Sequence, residues 1–565
     1  MIINATEKGI LSRWRNQNNE VESHFESYNV YKPRFYIEDD VAEVADMLVT
    51  DNLGKYRIKL NYEANHFSNR YNLDGKPLKE VTWTPSKPSL SKVVRSFFEN
   101  RGDITYEADV PLHHRWCVDR YSNADFPEYE MRKWYWDMEW MTVGEHEGAI
   151  TCIVRYDSYD KIYQTYVWYP TVNDTTPFVP KIDGVKKFDS EKRMLEEFLS
   201  DILFDDPDML ISWFGWKFDL PKLIERMIHN EIDARLLSPI NEVSGVYWKD
   251  DAVTYSKRKV NSYSAVYQPI AGRICVPLDM AFERQWMDSQ RGTLPSMALD
   301  YISEEVLGDK KLVSEKFPDK NDFFARAWLE DAETYLDYAQ KDVELLVRID
   351  EMNHTVDAIV ALQRLLRAPF DACFHASKMG NIYFMRNAYW KPPTGQRGDR
   401  VSYDGAMVYD PLSEGTNGLH LGVAAFDFAG LYPSMIIARN ISWESRSEEP
   451  TKLGVNLRTP KDFSKVSVED MRYFKTDELG VLPRALINLK GLRNDYKKKM
   501  KEATDEDEYT KWNNNQLAVK RLMASFYGII AFQGFGWADV DLAACITASA
   551  REAIREAASV VRELE

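Results

Sequence analysis

Residues 133–140 read KWYWDMEW, and the organisation of the middle of the chain follows from reading this aromatic run as a strand. On a strand, residues two apart share a face, so Asp137 and Glu139 project together, about 7 Å apart along the chain. That geometry suits a divalent cation. Asp-x-Glu alone is a weak signal, since Asp331-Ala332-Glu333 matches it too. Outward from this stretch, strand-like runs (AITCIVRYD at 149–157, IYQTYVWYP at 162–170) alternate with helical ones. That alternation predicts an α/β domain over residues 131–354.

Two further acids follow. In LPKLIERMI (220–228), Leu220, Leu223, Ile224, Met227 and Ile228 share one helical face and Pro221 suits the first turn, which puts Asp219 at the helix N-terminus. In YLDYAQKDVELL (335–346), Tyr338 and Asp342 are four apart, so on a helix they point at one spot. Singly, Asp137, Glu139 and Asp342 read as solvated surface acids and Tyr338 as a core aromatic. As a set with Asp219 they are what metal-assisted phosphodiester hydrolysis needs. Several carboxylates from separate elements hold two ions about 4 Å apart, and a hydroxyl orients the attacking water.

The remaining sequence bounds the reading. A chain of 565 residues predicts three or four domains. Its 44% hydrophobic and 13% aromatic composition predicts ordered globular structure. A formal charge of −17 excludes an overall basic coat but not a local basic groove. Five well-separated cysteines without a Cys-x-x-Cys pair fit a reducing cytosol and give no zinc motif. No apolar run reaches the ~18 residues of a membrane span, so a cytoplasmic protein with no membrane partner is expected. Residues 1–130 carry strand-like runs (NVYKPRFYI, YRIKLNY) and a turn at Asn72–Gly75 but no legible chemistry. A turn-rich break, WKPPTGQRGDR at 390–400, separates a second half. There LGVAAFDF (421–428) is expected as a strand turning at Gly430 into a helix with Pro433 in its first turn. Long helices are expected near 485–502 and 510–531, with Asp505–Glu508 as a solvated turn.

The ordered motifs WDME, FDLP and Tyr-x-x-x-Asp resemble the three proofreading-exonuclease motifs of family B DNA polymerases. The detail, including GRICVPLDM (272–280) and LPSMALDYISEEVLG (294–308), is most similar to the replicative polymerases of T-even bacteriophages. Tyr403-Asp404-Gly405-Ala406 resembles the small motif joining exonuclease and polymerase halves, and DFAGLYPS (427–434) resembles palm motif A. The resemblance implies a multidomain α+β/α/β protein. Its parts would be an N-terminal domain at 1–130 with 355–398 returning to it, a ribonuclease H-like 3′–5′ exonuclease domain at 131–354, palm at 399–484, fingers at 485–535 and the start of a second palm segment at 536–565. It implies Mg²⁺ or Mn²⁺ held by Asp137, Glu139, Asp219 and Asp342, and in the palm by Asp427 and the Phe428 carbonyl. Backbone N–H groups of Gly430, Leu431 and Tyr432 would take the triphosphate tail, and the Tyr432 ring would exclude a 2′-hydroxyl. Arg493, Lys497 and Lys520 would clamp phosphates, and Tyr527 would line the nascent base-pair pocket. Primer–template DNA, single-stranded DNA and deoxynucleoside triphosphates are the implied partners.

Three departures stand out. Phe214 takes the place of the family's asparagine five positions before the second-motif aspartate, and Ala524 replaces an asparagine of motif B. The Asp-Thr-Asp-Ser hairpin that supplies the second palm aspartate does not occur in these 565 residues. The expectation is therefore a split polymerase, completed by a second chain carrying that hairpin, a thumb and any sliding-clamp contact, in a host-cell cytoplasm if viral. A free-standing exonuclease and a non-catalytic truncated replisome protein are the alternatives.

Overall fold

The computed structural model describes residues 1–51, 54–64, 70–142, 146–168, 184–249, 252–256, 268–288, 292–395, 402–405, 407, 418–424, 427–458 and 468–564. Two compact units emerge: residues 1–27, 124–363 and 369–374 form the first, and residues 28–123, 364–368 and 375–565 the second. Residues 1–27, expected with 28–130, cluster instead with the first unit, and residues 390–395 mark no division between units. Ion pairs account for the former. Arg13 and Arg15, on the strand Gly9–Arg15, meet Asp206 and Asp208 at 2.6 Å each. All four side chains are largely or fully buried, so losing one partner would strand a charge.

The first unit is built on six strands. In chain order these are β1 (Lys133–Trp140), β2 (Ile150–Asp157), β3 (Ile162–Val167), β4 (Val185–Lys187), β5 (Met209–Ser212) and β6 (Ile274–Pro277), and they lie in the order β4-β3-β2-β1-β5-β6. β1–β2 and β2–β3 pair antiparallel, whereas β3–β4, β1–β5 and β5–β6 are parallel. Period-two alternation divides β1 cleanly. Trp134, Trp136 and Met138 enter a core with Phe198 and Leu223, drawn from helices α1 (Glu191–Asp205) and α2 (Asp219–His229). The intervening face carries Tyr135, Asp137 and Glu139. It looks toward helix α3 (Ala332–Asn353), where the Tyr135 hydroxyl donates to Asp350 at 2.5 Å and Lys133 pairs with Asp357 at 2.7 Å just beyond the helix end.

The second unit contains a five-stranded antiparallel sheet (Arg34–Glu38, Asp46–Asp51, Gly54–Glu63, Leu78–Thr84, Thr105–Tyr106) closed over Phe35, Trp83 and Phe98. It also contains helices α4 (Leu431–Ala438), α5 (Val481–Glu502), α6 (Glu506–Ile530) and α7 (Val540–Leu564). Phe384 anchors an aromatic cluster here, within about 6 Å of Trp443, Phe526, Phe535 and Trp537. No helix among the described residues is long and apolar enough to cross a membrane.

Two local expectations fail. Residues 421–424 and 427–428 lie in no strand, and 425–426 fall outside the described residues. Leu419, Leu421 and Val423 are 74–89% exposed, so the apolar run expected as a strand packs against no sheet among the described residues. Asp505–Glu508 is not a solvated turn either. Asp505 is the N-cap of α6, accepting from the Glu508 N–H at 2.8 Å, and Glu506, Asp507 and Glu508 fill the first turn where the helix dipole favours negative charge. Asp505→Ala should therefore cost about 1 kcal/mol of unfolding free energy, read from the denaturant midpoint, while Asp505→Asn, an equivalent cap, should be near neutral.

Candidate active site

Three elements deliver four carboxylates to one cluster in the first unit. β1 supplies Asp137 and Glu139 from one face, the first residue of α2 supplies Asp219, and α3 supplies Tyr338 and Asp342 one turn apart. One oxygen each of Asp137, Glu139 and Asp342 lie within 4.8 Å of one another. Asp219 lines the same cleft, of about 330 Å³, as does Tyr338. The structure thus brings all five of these side chains to one cleft.

Local sequence explains the position of Asp219. Between β5 and α2 the chain turns within Phe214–Phe218, the Phe214 carbonyl accepting from the N–H groups of Lys217 (2.9 Å) and Phe218 (3.0 Å). Gly215 leaves room here: a Cβ would lie 2.3 Å from the Ser212 hydroxyl oxygen and would force that hydroxyl to move. That hydroxyl is in turn hydrogen-bonded to the Asp219 carboxylate.

Burial and mutual repulsion dominate the electrostatics. Asp137 is held well above the usual carboxylate range by burial and by the charges of Asp219, Glu139 and Asp342. Burial, with Asp342, pushes Glu139 up to about 8, and burial pushes Asp219 up to about 6. Asp342, 1% exposed, is raised by burial against the opposing pull of Lys311.

Lys311 is the functional residue that sequence reading misses. Its ammonium lies 2.5 Å from Asp342 Oδ2 and donates to the Tyr338 hydroxyl at 3.3 Å. Its own pKa is raised by Asp342, Tyr338 and Asp137 although burial opposes this. Lys311 comes from the irregular chain between helices Leu299–Leu307 and Lys320–Glu330, where no periodicity could point it inward. Lys311 and Lys320 line the cleft against Asp137, Glu139, Asp219, Asp300 and Asp342, so carboxylates outnumber cations and the cluster stays short of positive charge. Asp342 Oδ1 is buried without a hydrogen-bond partner, an orphaned acceptor that suits a metal ligand.

The second unit holds the palm-like residues differently. Gly430, at φ +73°, caps α4, a left-handed position that other residues rarely take, and Pro433 lies in the first turn as expected. Asp427 and Phe428 precede it and are exposed. Among the described residues Asp427 belongs to no cluster of three potential metal ligands. The Tyr432 and Tyr527 rings stack at 4.1 Å, and the Tyr403 and Tyr527 hydroxyls are 3.5 Å apart; Ala406 lies outside the described residues. On α5 and α6, Arg493 donates to Gln516 at 3.2 Å, while Lys497 and Lys520 are exposed. Ala524, the motif B departure, is exposed on α6.

Comparison with known proteins accords with this geometry. Residues 377–565 match DNA polymerase family B, and residues 149–276 match the exonuclease domain of that family. A DNA polymerase of Pyrococcus glycovorans is 26% identical over 474 residues, covering 81% of this chain and 54% of the relative. The DNA polymerase delta catalytic subunit of Caenorhabditis elegans is 26% identical over 362 residues, covering 60% of this chain and 30% of that one. The family B DNA polymerase structure from Pyrobaculum calidifontis superposes with a TM-score of 0.70 at 16% identity, over 100% of this chain and 71% of that one, a likeness of fold. The chain spans about half the length of the archaeal relatives. These likenesses are archaeal and eukaryotic, so the expected T-even bacteriophage affinity and viral setting are not supported. By motif order, family match and fold, the chain falls within DNA polymerase family B and carries that family's exonuclease domain.

Proposed function

We propose that the first unit is a metal-dependent 3′→5′ exonuclease acting on single-stranded DNA, ribonuclease H-like in fold, and that the second holds palm (399–484) and fingers (485–535) residues for nucleotidyl transfer. The observation that carries the exonuclease reading is the convergence of Asp137, Glu139, Asp219 and Asp342 with Tyr338 and Lys311 in one cleft. The four carboxylates would hold Mg²⁺ or Mn²⁺, which supplies the charge that activates water and steadies the leaving oxygen. The Tyr338 hydroxyl, its pKa raised by burial and by Asp342, stays protonated at neutral pH and is free to orient a water. Lys311 fixes Tyr338 and Asp342 together, so the two act as one positioned pair.

For the second unit, Asp427 and the Phe428 carbonyl would bind metal, and the N–H groups of Gly430–Tyr432 the triphosphate. Arg493, Lys497 and Lys520 would meet phosphates, and Tyr432 and Tyr527 would bound the sugar and base. Asp427 stands exposed and outside any three-ligand cluster among the described residues, which supports a requirement for another carboxylate. A second chain carrying an Asp-Thr-Asp-Ser hairpin would supply that group.

Removing Asp137 or Asp342 by alanine should lower hydrolysis of a 3′-labelled single strand by about 10³-fold or more, because a two-metal site forfeits several kcal/mol with one ligand. An Asp137→Ala variant as active as the parent would reject the site.

The 565 residues alone should extend a primer negligibly, and Asp427→Ala should leave exonuclease rate unchanged. Robust extension by the purified chain would contradict the reading of Asp427.

Glu139 and Asp219 hold protons in the folded chain that the unfolded chain has released, so metal-free stability should fall as pH rises from about 5 to 8 relative to Glu139→Gln. Metal binding must displace those protons. The rise in Tm produced by Mn²⁺ should therefore grow from pH 6 to pH 8, and a pH-independent rise would contradict the shared ligation.

A further inference from the structure

The cleft has two chemically different walls. One is the carboxylate cluster, and the other is aromatic: Phe214 and Phe218 line the same space. Phe218 is 54% exposed and Phe214 half-buried, so neither ring is claimed by the core. The tight turn holds them together, with ring centroids 5.9 Å apart at 70°, an edge-to-face brace. Lys217 lies 5.7 Å over the Phe214 ring and 3.7 Å from Asp279, so a cation already flanks this wall.

A ligand that fits both walls carries anionic oxygen for the metal-bearing side and, one bond system away, a flat group with a π-face. The terminal nucleotide of a DNA strand is such a ligand. Phe214 offers no donor or acceptor, so nothing on that ring reads the hydrogen-bonding edge of a base. We infer that Phe214, braced by Phe218, is the stacking platform for the 3′-terminal base, and that the exonuclease selects its substrate end by base stacking rather than by base-edge hydrogen bonds. The inference rests on the exonuclease reading for its substrate class. Its consequence is that large bases hold better than small ones, edge chemistry is ignored, and an end lacking a base is poorly held.

The test uses the 565-residue chain in EDTA, where hydrolysis is suppressed, and a single strand with 2-aminopurine at its 3′ end. Binding should quench the fluorophore. Phe214→Ala should weaken binding about tenfold and abolish the quench, while Phe214→Trp should retain both. A strand ending in an abasic site should bind the parent about as weakly as Phe214→Ala binds the intact strand, and the variant should not distinguish the two strands. With Mn²⁺ the variant should show raised KM and little change in kcat. Equal binding of intact and abasic ends by the parent, or equal weakening of both by Phe214→Ala, would overturn the inference. Retained quenching in Phe214→Ala would do the same. Phe214-dependent quenching in a chain that hydrolyses nothing with Mg²⁺ or Mn²⁺ would support the stacking site and reject the hydrolytic reading, so the two fail separately.

Discussion

Like charges brought together in a desolvated place repel, and the first unit depends on containing that repulsion at Asp137, Glu139, Asp219 and Asp342. A fold that needed only stability would not gather them, since burying carboxylates without full compensation opposes folding. The surrounding structure is arranged to hold them regardless. β1 carries two on the face opposite its tryptophan-rich core side, Ser212 bonds a third, and α3 is fixed against β1 by Tyr135–Asp350, with Lys133–Asp357 just beyond its end. Lys311 relieves part of the charge on Asp342 and leaves its second oxygen unsatisfied. The remaining deficit of positive charge is what a bound cation would relieve.

The two units treat their acids in opposite ways. In the first, the carboxylates are close, largely buried and shifted upward in pKa. In the second, Asp427 is exposed while nearby order is aromatic: Tyr432 on Tyr527, with Tyr403 at hydrogen-bonding range. Catalytic competence in two-metal chemistry follows from converging ligands, so under the proposed function the first unit's residues would suffice for hydrolysis, and synthesis would call for a further ligand beside Asp427.

Periodic features were legible in the sequence. The period-two run KWYWDMEW and the four-residue spacing of Tyr338 and Asp342 specify faces, and the structure keeps both. Features set by tertiary contact were not. Lys311 enters the cluster from irregular chain, and residues 1–27 join the first unit through ion pairs spanning 193 positions. Asp505–Glu508 has the composition of a solvated turn, but its first side chain accepts a backbone N–H and begins a helix. LGVAAFDF is an apolar run that reads as a strand, yet strand formation requires a pairing partner, which local sequence does not reveal.

If the four carboxylates form one cation site, they should take up a divalent ion in the absence of any substrate. Free Mn²⁺, followed by its EPR signal during titration at pH 8, tests this without requiring turnover. The parent chain should withdraw about two ions saturably, and Asp137→Asn and Asp342→Asn should each lose or sharply weaken that uptake with their folds intact by circular dichroism. Equal uptake at equal affinity by the parent and both variants would show that the cluster does not bind metal and would contradict the account.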